Sequence, residues 1–180
     1  MIEKLIKQLI EDEGLKLKPY TCPAGRLTIG VGRNLEENGL RATEIIYLIQ
    51  TNPGRSARFG DISAIDKSIL AVRLCKDFEK HGINAIEAVY LLRNDVERVL
   101  AELERALPWY TQAPEPIQIV LANMAFNLGL GGLLGFKTTL ELLKTGQYTA
   151  AADNMLKSRW ARQVGRRARR LADMVRTVNH

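Results

Sequence analysis

The segment PIQIVLANMAFNLG, from Pro116 to Gly129, is apolar almost all round; only Gln118, Asn123 and Asn127 interrupt it. A surface helix keeps one polar face, so a helix without one has to be surrounded by protein. This predicts the buried centre of a helical lobe, and the rest of the chain supplies helices to cover it. Ile2, Leu5, Ile6, Leu9 and Ile10 recur at i, i+3, i+4, i+7 and i+8, with Glu3, Lys4, Lys7, Gln8, Glu11 and Asp12 on the other face. That is an amphipathic helix, and Gly14 is its natural stop. Ala85 to about Leu107 reads as a long helix or a helix pair ending at Pro108. LGGLLGF reads as a glycine-rich turn, and further helices follow through TLELLKTG and YTAAADNMLKSRW.

A small β region interrupts the helices near the N-terminus. CPAG reads as a tight turn, with Pro23 pre-setting φ and Gly25 relieving sterics. After it Leu27, Ile29 and Val31 alternate with Thr28, Gly30 and Gly32, which is the period of a strand. The aliphatic face goes to the core. The other face carries Thr28 between two glycines, and a nearly bare face would let a ligand approach the backbone; the glycines read equally as bulges or bends. TEIIYLIQ looks helical, and NPGRSARFGD looks like an exposed loop. Ser63 is placed to cap a helix from Ala64 towards Lys80 that Gly82 would close. With 46% hydrophobic residues in 180, the chain can bury one core, or one core with a small second lobe.

Charge narrows the partners without choosing one. The net charge is +6, and residues 157–176 hold eight bases against one acid, Asp173. A basic surface favours nucleic acid, anionic lipid or an anionic wall polymer. Two cysteines, Cys22 and Cys75, are too few for a disulfide framework. The only histidines, His81 and His180, have no metal-ligand spacing, so no metal or cofactor is expected. The N-terminal helix is charged at every turn and reads as neither a signal peptide nor a membrane span. The chain is therefore expected to be made in a cytoplasm and released by something else if it acts elsewhere.

Three residues stand out together. Glu13 continues the apolar stripe of the first helix, four residues after Leu9; such a carboxylate is partly desolvated, which raises its pKa. A helix-end charge bending out to water is the plain alternative. Cys22 lies in the turn and Thr28 on the strand, so all three belong to one helix–hairpin unit and can converge. A free cysteine is otherwise most often a small buried hydrophobe.

This pattern resembles the phage-type lysozymes, the endolysin family. Its signature is glutamate, eight residues, Asp or Cys, five residues, threonine, and Glu13, Cys22 and Thr28 match it without a gap. DEG, PAG and TIGVG match around them. NMAFNLGLGGLLGFKTTL, AAADNMLKSRW and QVGRRARRLADMVRT match further on, whereas the middle from about Leu35 to His81 matches poorly. The resemblance implies an α+β, mainly α, lysozyme-like fold in one domain, 1–180, with a substrate cleft. A small lobe with the hairpin and inserted helices would span about 12–90, and a connecting helix about 91–107. A helical lobe of about 108–180 with 1–11 would complete it. It implies hydrolysis of the β-1,4 bond between N-acetylmuramic acid and N-acetylglucosamine in peptidoglycan, causing lysis, with no cofactor. The enzyme would be a monomer released to the periplasm to act.

In that chemistry Glu13 is the general acid, and Cys22 and Thr28 hold water on the opposite side of the sugar. Cys22 takes the place of the family's second catalytic acid, where the family has either residue. Phe126 resembles the cleft aromatic, Thr139 and Asn154 polar substrate contacts, Asn34 a substrate-facing position, and Arg167 the arginine paired with the catalytic glutamate. For these, core packing or capping is the competing reading. Arg33 stands where the family has histidine, so an altered ion pair is expected there. Extra length around residues 50–81 is a second departure.

Two rival functions remain at this level. A lytic transglycosylase needs one glutamate and no water, and the presence of both Cys22 and Thr28 argues against it. A nucleic-acid-binding helix in RWARQVGRRARRLADMVR lacks aromatics beyond Trp160 and any recognition motif. The basic surface fits an anionic cell wall or outer membrane better.

Overall fold

The structure is a computed structural model and describes residues 1–178, which leaves His180 outside the described residues. The architecture is α+β and mainly α, as the sequence predicts. The helices are α1 (Ile2–Glu13), α2 (Ala42–Gln50), α3 (Pro53–Phe59), α4 (Lys67–His81), α5 (Ala85–Ala106), α6 (Glu115–Leu134), α7 (Lys137–Lys144), α8 (Tyr148–Lys157), α9 (Arg159–Val164) and α10 (Arg166–Arg176). Three strands, β1 (Lys16–Thr21), β2 (Leu27–Gly30) and β3 (Arg33–Asn34), form one antiparallel sheet in that order. The chain divides into two compact units, residues 1–12 with 96–180, and residues 13–95.

In the first unit α6 is the buried element that its composition demands. Ile117, Val120, Leu121, Ala122 and Met124 are fully enclosed, and α10 packs on both α6 and α8. By length and composition alone α6 could cross a membrane, but half of its most apolar stretch is buried inside the unit. Each of the three polar interruptions makes a specific hydrogen bond. Gln118 Nε2 donates to the Ala113 carbonyl at 2.8 Å and so ties down the preceding loop. Asn123 donates to Asp12 at 3.0 Å and accepts from Arg167 Nε at 2.8 Å. Asn127 accepts from the Trp160 indole at 2.8 Å. LGGLLGF differs from expectation: Gly129, at φ 73°, kinks the helix, but helical backbone resumes and runs on to Leu134.

The second unit is built on one apolar cluster, in which Ile29 of β2 joins Ile45, Leu48, Phe59, Leu70, Leu74, Phe78 and Leu91 from the surrounding helices. β1 pairs with β2 through Lys16↔Gly30 and Tyr20↔Thr28, with an irregularity between. Gly82 closes α4 as predicted, and its identity is forced. A Cβ there would lie 2.5 Å from the Leu17 carbonyl oxygen, at a φ of +72°. That oxygen also accepts the Ile83 amide at 2.8 Å, which ties the end of α4 to β1.

Two local expectations are overturned here. NPGRSARFGD is not an exposed loop. Asn52 accepts from the Arg55 amide at 3.1 Å, Pro53 opens the first turn, and α3 follows with Arg55 and Phe59 buried. Arg55 can be buried because carboxylates await it. Its Nε donates to Asp77 at 2.9 Å, its Nη1 pairs closely with Glu87, and its remaining donors meet the Leu48 and Gly82 carbonyls at 2.7 and 3.0 Å. Nor does Ser63 cap α4. Asp66 does so, accepting from the Ser68 amide at 2.8 Å, and the helix starts at Lys67.

Arg33 makes a buried ion-pair network. Its guanidinium bridges Asp95 at 2.7 Å and Glu44 at 2.8 Å, with all three side chains buried. Burial alone would lower the arginine's pKa, but the hydrogen bonds and charges of Glu44 and Asp95 raise it above its ordinary value. Burial would likewise raise Glu44, and Arg33 outweighs it and holds the carboxyl low.

Candidate active site

The predicted triad falls in the second unit, in the order helix end, turn, strand. Glu13 is the last residue of α1 and is half-buried. Gly14 follows at φ 76°, so the chain turns directly into β1. The turn at Cys22 closes with the Gly25 amide on the Cys22 carbonyl at 2.8 Å and the Cys22 amide on the Arg26 carbonyl at 2.9 Å. Thr28 sits opposite Tyr20 in the ladder, so the two side chains share a face of the sheet.

That face is not bare. Thr28 is only 2% exposed, and a Cβ on Gly30 would meet Ala88 at 3.6 Å and Ile83 at 3.7 Å. The face is therefore covered by Ile83 and by Ala88 of α5, and a φ of +67° is what favours glycine at residue 30.

Cys22 is half-exposed and its thiol is pulled below the ordinary value. The Arg26 amide is the main cause; slight burial opposes it, and the Ala24 amide and Thr28 hydroxyl add to it. Thr28 has one proton to give. It donates to the Arg26 carbonyl at 3.0 Å, and rotation of the hydroxyl turns the same proton towards the sulfur. Cys75 has the opposite setting: burial first, then Glu79, raises its thiol. The thiolate is the reactive form. A limiting amount of iodoacetamide is therefore expected to label Cys22 well before Cys75 as the pH is raised, read by peptide mass spectrometry. Labelling in the reverse order would contradict this electrostatic picture.

Tyr20 is the residue that sequence reasoning misses. Its phenol is pushed up, first by burial and then by the charges of Glu13 and Cys22. Both groups are thus within electrostatic reach of its hydroxyl, and Lys16 Nζ lies 4.0 Å from its ring centre. A signal does exist: Tyr20 is two residues before Cys22, and it pairs across the turn with Thr28. Arg26 and Glu37 form a close ion pair beside the same turn.

The other predicted residues fall as follows. Asn34 lies in β3, pairs with Thr28, accepts the Glu36 and Glu37 amides at 2.9 Å each, and thereby shapes its own loop. In the first unit Thr139 donates to Asn154 at 2.8 Å. Asn154 also lines an open depression of about 720 Å³ with Phe136, Ser158 and Trp160. Phe126 is half-buried on α6. Arg167 is buried, donates to Asn123 and lies 3.4 Å from Asp12, the residue preceding Glu13. Among the described residues no group of three His, Cys, Asp or Glu could hold a metal ion.

Ten α-helices with one small three-stranded antiparallel sheet near the N-terminus make a lysozyme-like fold among the described residues. The chain belongs to the phage lysozyme family, which matches residues 10–176. It is 29% identical over 176 residues to the pre-baseplate central spike protein Gp5 of Enterobacteria phage T4. That match covers 97% of this chain and 28% of Gp5, so the chain spans little more than a quarter of that relative. It is 25% identical over 184 residues to probable T4-type lysozyme 2 of Dictyostelium discoideum, covering 98% of this chain and 96% of the relative. A second Dictyostelium discoideum protein, probable T4-type lysozyme 1, is 23% identical over 180 residues, with 98% and 96% covered. Family membership supports a lysozyme-like peptidoglycan hydrolase.

Proposed function

We propose that this chain hydrolyses the β-1,4 bond between N-acetylmuramic acid and N-acetylglucosamine in bacterial peptidoglycan and so lyses cells. What supports this is the family match over residues 10–176, with Glu13 at the end of α1, Cys22 in the hairpin turn and Thr28 opposite Tyr20 in the ladder of the same unit. Glu13 protonates the leaving glycosidic oxygen as the bond to the anomeric carbon breaks. A water held by Cys22 and Thr28 attacks that carbon from the opposite face, and the Cys22 thiolate accepts one of its protons. Thr139 and Asn154 offer polar contacts to the saccharide, and Phe126 an aromatic one. The chain acts as a monomer without a cofactor. It is made in the host cytoplasm and works on the wall from the periplasm, where its net charge of +6 favours contact with anionic envelope surfaces.

With water as the attacking group the reaction inverts. In carboxylate pairs a separation of about 6.5–9.5 Å leaves room for that water, against about 5–5.5 Å for a covalent route. A thiol on a turn, with a second polar contact from Thr28, suits the wider arrangement. The first-formed product is expected to be the α-anomer, read by proton NMR during digestion of purified peptidoglycan. Cys22→Asp is expected to stay active, because a carboxylate can hold the same water, and Cys22→Ala to lose much of the rate. Alkylation of the thiol is expected to block the site by bulk. A β-anomeric first product, or a sugar adduct trapped on Cys22, would make Cys22 the nucleophile instead.

A further inference from the structure

The segment that departs most from the family pattern ends in a strongly basic face. Arg73, Lys76, Asp77, Lys80 and His81 recur along α4 at i, i+3, i+4, i+7 and i+8. With Arg58 and Phe59 of α3 they line a depression of about 240 Å³ within the second unit. On most helices this spacing marks an apolar stripe; here four of its five members are basic.

The acid in the depression is already used. Asp77 takes Arg58 through Nε and Nη2 at 2.7 and 3.0 Å, and Arg55 at 2.9 Å. Glu87 also takes Arg55, through Nη1 and Nη2. Two arginines and two carboxylates therefore cancel, which leaves Arg73, Lys76 and Lys80 without an acid among the described residues. Asp61 and Asp66 accept the amides of Ser63 and Ser68, and Glu79 lies off this stripe, at i+6 from Arg73. Like charges at i, i+3 and i, i+4 work against a helix, so this face carries a standing repulsion that a bound anion would relieve.

Two of the cations are also held in place. The Arg73 guanidinium stacks over the Phe59 ring at 4.6 Å, which orients its donors without using them. Arg58 is fixed by its two-point bond to Asp77 and keeps Nη1 to spare. A fixed guanidinium loses less freedom when it binds. The depression is smaller than the roughly 300–1,000 Å³ of a drug-sized ligand site, so it fits a single compact group. A phosphomonoester carries about −1.5 to −2 at neutral pH and three acceptor oxygens. That matches three free cations better than a carboxylate does.

We propose that the α3–α4 face is a binding site for a phosphoryl group, held by Arg58, Arg73, Lys76 and Lys80. The group could be free phosphate or a phosphomonoester lipid headgroup, and the chemistry of capture is the same. The site is separate from the triad, so it binds without taking part in catalysis.

Calorimetry of the full chain with inorganic phosphate, chloride being exchanged to hold ionic strength constant, gives the first arm. Flotation with phosphatidylcholine vesicles containing phosphatidic acid, against vesicles of equal charge containing phosphatidylglycerol, gives the second. Saturable phosphate binding that Lys76→Gln/Lys80→Gln weakens about tenfold or more is the expected result. Vesicle binding that prefers the phosphomonoester and is lost in the same variant, without free phosphate binding, assigns the headgroup as the source. Without ligand the double variant should keep the far-ultraviolet circular dichroism of the wild type, so that lost binding is not lost structure. No saturable binding in either arm, equal retention on both charged vesicles, or binding unchanged by the double substitution would overturn the proposal.

Discussion

Glu13→Gln is expected to fold normally and to lose about 10²- to 10⁴-fold in lytic rate, the usual worth of a positioned general acid. The amide keeps the size and hydrogen-bonding reach of the carboxyl but has no proton to give the leaving oxygen. Glu13 ends α1 and is half-buried, so the change removes no core packing, and far-ultraviolet circular dichroism and the melting temperature should stay close to wild type. The assay is turbidity clearing of purified peptidoglycan at matched protein concentration. A folded variant with near-normal clearing would remove Glu13 from the mechanism.

The largest expected effect on stability lies at Arg55. Its side chain is 1% exposed, and its partners Asp77 and Glu87 are 7% and 2% exposed. Arg55→Met would keep most of the stem's packing but leave two buried carboxylates short of their cation. Breaking a buried pair in this way typically costs about 3–5 kcal/mol. Urea unfolding read by circular dichroism should show that loss at neutral pH; a loss below about 1 kcal/mol would mean that Arg58 and water replace it. The sign of the pH dependence follows from Asp77. Burial would raise its carboxyl, but the Arg58 and Arg55 hydrogen bonds outweigh burial and hold it low. Its stabilisation is therefore complete above the unfolded carboxylate value and is lost as pH falls through the depressed folded value. The gap between variant and wild type should narrow on acidification.

What can be read from sequence is what depends on neighbours in the chain. The stripe from Ile2 to Ile10 forms α1, the all-apolar run forms the enclosed α6, and Leu27 to Val31 supplies a strand. Gly14 and Gly82 end helices, and Gly25 shapes the turn, where expected because each has a positive φ. The differences arise where distant residues decide. Residues 52–61 read as loop because Arg55 looks like a surface residue until Asp77 and Glu87, 22 and 32 positions away, are brought to it. The Thr28 face looks bare because Ala88 and Ile83, which fill the space over Gly30, belong to a distant part of the chain.

The candidate site shows the same division. Glu13, Cys22 and Thr28 stand out in the sequence through the resemblance to the family signature, and the fold keeps them in one unit. Tyr20 escapes a sequence reading because its interest comes from facing Thr28 across the ladder while Glu13 and Cys22 act on its hydroxyl. The lowered Cys22 thiol is equally invisible, since backbone amides of the turn cause most of it.

Digestion of purified peptidoglycan in isotopically heavy water tests the water-using mechanism most directly. Mass spectrometry of the released fragments should find one heavy oxygen at each new reducing N-acetylmuramic acid end. Fragments ending in 1,6-anhydro-N-acetylmuramic acid, without the label, would mean that no water attacks and would contradict hydrolysis by Glu13, Cys22 and Thr28.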